Sequence, residues 1–153
     1  DESAVSEACR WMTTLNALAA KLMLECGVHA CTDITGFGLI GHATEMARGA
    51  GLTFVIERRS LPVMAGVAEL IDKGLIPAGL YRNRDHYSPM LKADSQSEDD
   101  LLPLFDPQTS GGLLIALADE DATAFLRRAA ENDCFAVEIG HVVPQEPYAL
   151  LIR

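Results

Sequence analysis

Residues 30–42 read ACTDITGFGLIGH, and the fold can be worked out from this stretch in both directions. Residues 28–33 predict a short strand, because the helical spacing of apolar residues that precedes them stops there. Residues 35–38, which carry two glycines, predict a turn before a helix. Asp33 therefore stands where a strand ends and a helix is about to begin, which is the usual place for ligands in layered α/β sheets.

Helices and strands alternate on both sides of this stretch. Upstream, apolar residues at 3-4-3-4-3 spacing predict one long amphipathic helix, with its face formed by Val5, Ala8, Met12, Leu15, Ala19 and Leu22. Downstream, a helix is expected over residues 39–48, a strand over 52–56, and another helix that starts at 60–62. Residues 75–100 predict a long irregular surface excursion, and residues 101–105 a short apolar helix.

The last third of the chain continues the alternation. A buried strand is expected over residues 113–117, followed by a helix capped by Asp119 or Asp121. Residues 136–143 and 148–152 predict two strands that pair with each other around a proline-containing turn. This order predicts an α+β fold in which one mixed sheet carries packed helices.

Length and composition favour one domain over residues 1–153, because a chain of 153 residues can bury a sizeable core. The apolar fraction of 49% is too high for a disordered protein. The longest apolar run, residues 111–118, has the length of a strand and predicts no membrane span.

Four cysteines without a CxxC pair, and an opening stretch unlike a signal peptide, predict reduced thiols in the cytoplasm. The absence of an initiator Met indicates a processed chain or a fragment of a longer one.

The charge of the chain restricts its partners. With 12 Lys and Arg against 22 Asp and Glu, the net charge is −10, which argues against nucleic acid as a partner. An acidic protein that handles phosphates needs a metal cation between the two.

Asp33 and the glycines after it have two interpretations. Asp33 could hold Mg²⁺, and backbone amides at the helix start could face a phosphate. Alternatively, Asp33 caps the turn, and Gly36 and Gly38 only permit its backbone angles. Residues 106–112, DPQTSGG, raise the same choice, since such a loop is either an anion-binding concavity or an ordinary turn.

Other polar residues give weaker signals. Cys26, His29 and Cys31 could supply three zinc ligands, but buried thiols are the simpler interpretation because a fourth ligand at zinc-site spacing is missing. His42 could approach the site of Asp33, although a packed or surface histidine is the simpler interpretation. Asn83 is expected in a polar loop.

Three of these segments together resemble the selenophosphate synthetase (selenide, water dikinase) family. Residues 30–42 resemble one family signature, residues 106–114 a second, and residues 76–83 the Pro-Gly-Gly loop that ends in Asn, with Ala78 at a position that is often Gly. The resemblance implies a fold like the C-terminal domain of aminoimidazole ribonucleotide synthetase, partly ferredoxin-like. It implies a reaction in which ATP, selenide and water give selenophosphate, AMP and phosphate, with Mg²⁺ required.

The resemblance also implies roles for particular residues. It carries a metal-ligand role onto Asp33, and it places the nucleotide phosphates beside Thr35, Gly36, Gly38, Thr109, Ser110, Gly111 and Gly112. It assigns no catalytic residue to this chain, because the family's reactive Cys or Sec and its lysine belong to an N-terminal half. The chain is therefore expected to be the C-terminal domain of a longer two-domain enzyme, inactive alone, whose full-length form is a homodimer. Two alternatives remain open: the equivalent domain of a purine-synthesis, thiamine-phosphate kinase or hydrogenase-maturation relative, and a non-catalytic domain that binds a partner.

Overall fold

The computed structural model describes residues 2–94 and 98–153. The helices are α1 (Glu2–Thr13), α2 (Ala17–Leu24), α3 (Gly38–Ala50), α4 (Val67–Asp72), α5 (Ala78–Tyr87), α6 (Glu98–Leu101) and α7 (Asp119–Glu131). The strands are β1 (Ala30–Asp33), β2 (Leu52–Ile56), β3 (Leu91–Ala93), β4 (Leu113–Ala116), β5 (Gly140–Pro144) and β6 (Leu150–Ile152). Within the ranges described, every helix is too short or too polar to cross a lipid bilayer.

The strands form two sheets. The larger has the order β3-β6-β2-β5, in which β6 is parallel to both β3 and β2, and β5 is antiparallel to β2. The smaller is the antiparallel pair β1–β4, with Asp33 opposite Leu113 and Cys31 opposite Ile115. The α+β prediction with a mixed sheet is confirmed, although its strands divide between two sheets.

Two apolar clusters hold the small sheet from opposite sides. The main core joins α3, α5, β2, β6 and the 3-10 turn Leu102–Phe105, through Ile40, Ala43, Ala47, Phe54, Ile56, Leu80, Tyr87, Leu102, Leu104, Phe105, Leu150 and Ile152. A small cluster joins α2 and α7 through Leu22, Cys26, Phe125 and Ala129. Leu114 packs against the main core and Ile115 against the small cluster, because successive side chains of β4 point to opposite faces. This double packing anchors the loops at the ends of β1 and β4.

The single long helix predicted at the N-terminus is two helices. The chain leaves α1 at Thr13 and Thr14, whose hydroxyls donate to the carbonyl oxygens of Cys9 and Arg10 at 2.8 Å. Such side-chain bonds compete with the helical backbone and often bend or end a helix. Asn16, between α1 and α2, instead donates its side-chain amide to Gly111 O at 3.1 Å.

The irregular excursion predicted for residues 75–100 is also wrong. It contains α5 and β3, and only residues 95–97 of it lie outside the described part. Pro77 stands at the N-cap of α5 with extended dihedrals, where its missing N–H costs nothing. Only Leu80 and Tyr87 of this helix are buried, which is why its sequence shows little helical periodicity. The helix predicted to start at 60–62 is a 3-10 turn, Arg58–Ser60, followed later by α4.

The last two strands do not pair with each other, contrary to the prediction. β5 lies along one edge of β2, whereas β6 inserts between β2 and β3. Leu150 and Ile152 have no solvent exposure, as expected for a central strand. The connection between them crosses β2, where the Thr53 hydroxyl donates to Tyr148 O at 2.7 Å and accepts from Glu146 N at 2.9 Å.

Candidate functional site

Two loops meet at the end of the small sheet. The first loop is residues 33–38, after β1, and the second loop is residues 106–112, before β4. Backbone hydrogen bonds continue the β1–β4 ladder between them: Ile34 N donates to Gly112 O at 2.9 Å, Gly111 N to Ile34 O at 2.9 Å, and Gln108 N to Thr35 O at 3.0 Å. The two glycine motifs therefore form one continuous surface.

Glycine is required where the loops touch the rest of the protein most closely. A Cβ on Gly111 would lie 2.5 Å from Ile34 O, which is too close for any side chain. Gly38 has a φ of +69°, and a Cβ there would lie 2.9 Å from Asp106 O. A Cβ on Gly36 or Gly112, by contrast, would meet nothing within 4 Å.

The seven candidate nucleotide-binding residues separate into two groups by their backbone amides. We call Thr35, Gly38 and Gly111 the junction, because their amides donate to His42 Nε2, Thr35 O and Ile34 O at 2.9–3.0 Å. We call the remaining four the open face: Gly36, Thr109, Ser110 and Gly112. These four are exposed, and their amides donate to no acceptor within residues 2–94 and 98–153. Several unpaired amides on one surface are able to receive an anion.

Asp33 lies beside this surface as the last residue of β1, and it is exposed. Cys31 shares its face of the strand, since alternate residues point the same way. Burial raises the pKa of the Cys31 thiol, and the carboxylate of Asp33 raises it further. Within the described part of the chain, no three His, Cys, Asp or Glu side chains converge to hold a metal. At this position Asp33 offers one exposed carboxylate, and Mg²⁺ accepts a single protein carboxylate when phosphates and waters complete its coordination.

His42 reaches back from α3 to the first loop. Its Nε2 accepts the backbone N–H of Thr35 at 3.0 Å and lies 3.0 Å from the Thr35 hydroxyl. Because Nε2 accepts the N–H of Thr35, we assign His42 the tautomer that carries its proton on Nδ1. The ring also lies 5.4 Å from that of Phe37. His42 is half-buried, as expected for a packed histidine, and its bond to Thr35 also places it beside the first loop.

Two asparagines bind the loops from other elements. Asn83, expected in a polar loop, is on α5 and donates to Gly36 O and to Phe105 O, each at 2.9 Å. Asn16 holds the second loop through Gly111 O. No sequence pattern pointed to Asn16, because its contact depends on where the break between α1 and α2 falls.

Asp106 begins the second loop and is half-buried. Burial raises the pKa of its carboxyl, while a hydrogen bond from Gln108 Nε2 at 2.9 Å lowers it and only partly offsets the rise. The sequence patterns assigned neither residue an individual role.

One interpretation of the sequence was a zinc site with Cys26, His29 and Cys31 as ligands. Cys26 packs in the small cluster with Leu22 and Phe125, as the buried-thiol interpretation predicted. His29 is exposed and precedes β1. The described residues therefore offer no closed zinc site in this region.

Comparison with known proteins agrees with the motif resemblance. The family described as "AIR synthase related protein, C-terminal domain" matches residues 4–152. A selenide, water dikinase from Geobacter metallireducens is 55% identical over 148 residues, which cover 97% of this chain and 43% of that protein. One from Geobacter sp. strain M21 is 60% identical over 139 residues, which cover 91% of this chain and 40% of that protein. The chain therefore spans about 40% of the length of these curated relatives.

A solved structure shares the fold. A thiamine-monophosphate kinase from Stenotrophomonas maltophilia superposes with a TM-score of 0.50 at 16% sequence identity, covering 84% of this chain and 32% of that one. At this identity the likeness shows the fold alone.

Proposed function

The chain belongs to the AIR synthase related family, as a C-terminal domain, and from this premise we propose that it forms the phosphate-facing part of a selenide, water dikinase. The full-length enzyme would convert ATP, selenide and water into selenophosphate, AMP and phosphate. The observation that carries this proposal is the open face, where four unpaired amides from two separate motifs lie beside an exposed carboxylate.

The open face suits nucleotide phosphates chemically. The amides of Gly36, Thr109, Ser110 and Gly112 are neutral donors, so they can approach phosphate oxygens in a chain whose net charge is −10. The side-chain hydroxyls of Thr109 and Ser110 add two more donors. The junction residues serve the same surface indirectly, because their internal bonds hold the two loops in register.

Asp33 is the residue of this chain that would hold Mg²⁺. Bound Mg²⁺ supplies positive charge that offsets the phosphates of the nucleotide and helps to orient them. Asp33 stands at the end of a paired strand, with its backbone fixed opposite Leu113, so its position is defined before any ligand arrives. The remaining ligands would come from the phosphates, water and the other half of the enzyme.

The chemical step itself requires groups outside this chain. The resemblance assigns the reactive Cys or Sec and the lysine to an N-terminal half, and we propose that residues 1–153 are the C-terminal domain of such a two-domain enzyme. We extend the proposal to a cytoplasmic homodimer for the full-length form. In this arrangement the chain binds and orients the nucleotide phosphates, and the N-terminal half supplies the groups that carry out phosphoryl transfer.

The choice among superfamily reactions rests on sequence identity. Relatives at 55% and 60% identity over more than nine-tenths of this chain carry the selenide, water dikinase name. The thiamine-monophosphate kinase is 16% identical and indicates the fold alone, so it does not favour a second function.

The test uses the full-length protein, purified without oxygen. Incubation with ATP, Mg²⁺ and selenide should produce AMP together with a selenophosphate signal in ³¹P NMR, and omission of selenide should abolish the selenophosphate. Thiamine monophosphate in place of selenide is the control substrate. Its phosphorylation, in the absence of selenide-dependent AMP formation from ATP, would assign the chain to a different enzyme of the superfamily.

A further inference from the structure

One side-chain amide joins the two loops of the candidate site. Asn83 Nδ2 lies 2.9 Å from Gly36 O, in the first loop, and 2.9 Å from Phe105 O, the residue before the second loop. A side-chain amide has two N–H donors, so each carbonyl can take one proton and both donors are used. The two carbonyl oxygens come from segments far apart in sequence, and both accept hydrogen bonds from the same nitrogen of Asn83.

The element that carries Asn83 is firmly packed. Leu80 and Tyr87 of α5 are 3% and 4% exposed and belong to the main core. At its first turn, Gly79 packs against the ring of Pro107, where an added Cβ would be 3.1 Å from Pro107 Cγ. A side chain on a helix held in this way fixes its partners better than one on a loop.

We propose that Asn83 is a positioning residue that sets the spacing between the two loops and so aligns the amides of the open face. Removal of its NH₂ group would leave two carbonyl oxygens, which carry like partial charges, side by side without a donor. The amide of Gly36 would then move relative to the three open-face amides of the second loop, because Asn83 holds the carbonyl oxygen of Gly36. The identity of the ligand that binds the open face rests on the proposed function, whereas the alignment of the two loops by Asn83 does not.

The first experiment measures the loops themselves by hydrogen exchange in the full-length protein. Asn83→Asp replaces the donor by a carboxylate oxygen of nearly equal size. Exchange of the hydrogen-bonded amides in peptides covering residues 33–38 and 106–112 should accelerate about ten-fold or more, whereas exchange in residues 40–56 of the main core should stay unchanged. Asn83→Leu removes the donors without adding charge, and it should show a smaller change in the same peptides.

A matched control is available at the end of α7. Asn132 Nδ2 donates to Arg128 O at 2.8 Å, so Asn132→Asp makes the same chemical change against another backbone carbonyl. It should leave exchange in both loops as it is in the unmodified protein.

The second experiment measures binding of a Mg²⁺-bound, non-hydrolysable ATP analogue by calorimetry. The Asn83→Asp protein should bind it about ten-fold more weakly, and Asn132→Asp should bind it normally. Unchanged loop exchange in the Asn83 variants would overturn the positioning role, and so would an equal acceleration in the main core. If Asn83→Asp does not fold, Asn83→Leu decides by the same criteria. If the unmodified protein does not bind the analogue, the proposed function fails while the exchange result still judges Asn83.

Discussion

The junction and the open face consist of the same kinds of residue, yet they use their backbones in opposite ways. Thr35, Gly38 and Gly111 direct their amides into the protein, where each has an acceptor at 2.9–3.0 Å. Gly36, Thr109, Ser110 and Gly112 are exposed, and their amides have no acceptor in the described part of the chain. One sequence motif thus contains two kinds of residue. Some hold the two loops together through internal hydrogen bonds, and others leave their amides exposed for a ligand.

This difference separates two kinds of mutational effect. A change at the junction disturbs the contact between the loops, so it should lower the free energy of unfolding. A change on the open face or at Asp33 leaves those contacts in place, so it should lower binding and catalysis instead.

The largest effect is expected for Asp33→Asn in the full-length form of the proposed selenide, water dikinase. The amide is nearly isosteric but offers Mg²⁺ only a neutral oxygen, and a positioned metal contributes several kcal/mol to phosphoryl transfer. The Mg²⁺-dependent rate should therefore fall by about 100-fold or more. Because Asp33 is exposed, the free energy of unfolding should change by only about 0–2 kcal/mol.

The measurements for Asp33 are the steady-state rate of AMP formation and the melting temperature without ligand. Near-normal activity would remove Asp33 from the metal site. A large fall in melting temperature would favour the alternative in which Asp33 only stabilises the turn before Gly36.

The second effect compares neighbouring glycines. Gly111→Ala places a Cβ 2.5 Å from the backbone oxygen of Ile34, and because a backbone atom cannot rotate away, the loops must separate. The free energy of unfolding should fall by about 1–3 kcal/mol, as for other overpacked sites. Gly112→Ala adds its Cβ in open space and should change stability by less than about 0.5 kcal/mol.

Urea unfolding of both glycine variants supplies the comparison. Equal destabilisation by the two substitutions would contradict the division into junction and open face, because only Gly111 is crowded by Ile34.

Sequence reasoning succeeded where the information is local. The strand that ends at Asp33, the helix that follows it and α7 were predicted because apolar spacing and glycines lie within each segment. The loops that follow β1 and precede β4 were predicted for the same reason. Their meeting was not predictable from spacing, since it depends on the pairing of β1 with β4, which brings residue 33 opposite residue 113. The predicted cap of α7 was wrong, because Ala118 stands at the N-cap and both Asp119 and Asp121 lie within the helix.

The parts that failed depend on distant contacts. Asn83 and Gly36 are 47 residues apart, and Asn16 and Gly111 are 95 apart, so neither bond leaves a periodic signal. α5 was missed because only Leu80 and Tyr87 of it are buried. The last two strands were wrongly paired because proximity in sequence favours a hairpin, whereas the burial of Leu150 and Ile152 favours the centre of the sheet.

The smallest effect is expected at Asp106, which lies at the edge of the junction and should affect stability through its charge. Burial raises the pKa of its carboxyl above the ordinary value of 3.8 for an aspartate, so the folded state binds the proton more tightly than an unfolded chain does. Stability is therefore lost as pH rises from below 3.8 through the folded-state pKa, and ionised Asp106 is a cost at neutral pH. Asp106→Asn cannot ionise, and its carbonyl oxygen can still accept from Gln108 Nε2.

The Asp106→Asn substitution should raise the melting temperature at pH 7 by about 1–2 °C, and the gain should shrink as pH falls toward 3.8. Glu138→Gln is the matched control, because it removes the same unit of charge at an exposed position outside any helix or strand. Melting curves of the three proteins between pH 4 and pH 7 separate the local effect from the reduction in net charge. A gain that is independent of pH, or an equal gain in Glu138→Gln, would show that net charge and not burial of Asp106 determines the result.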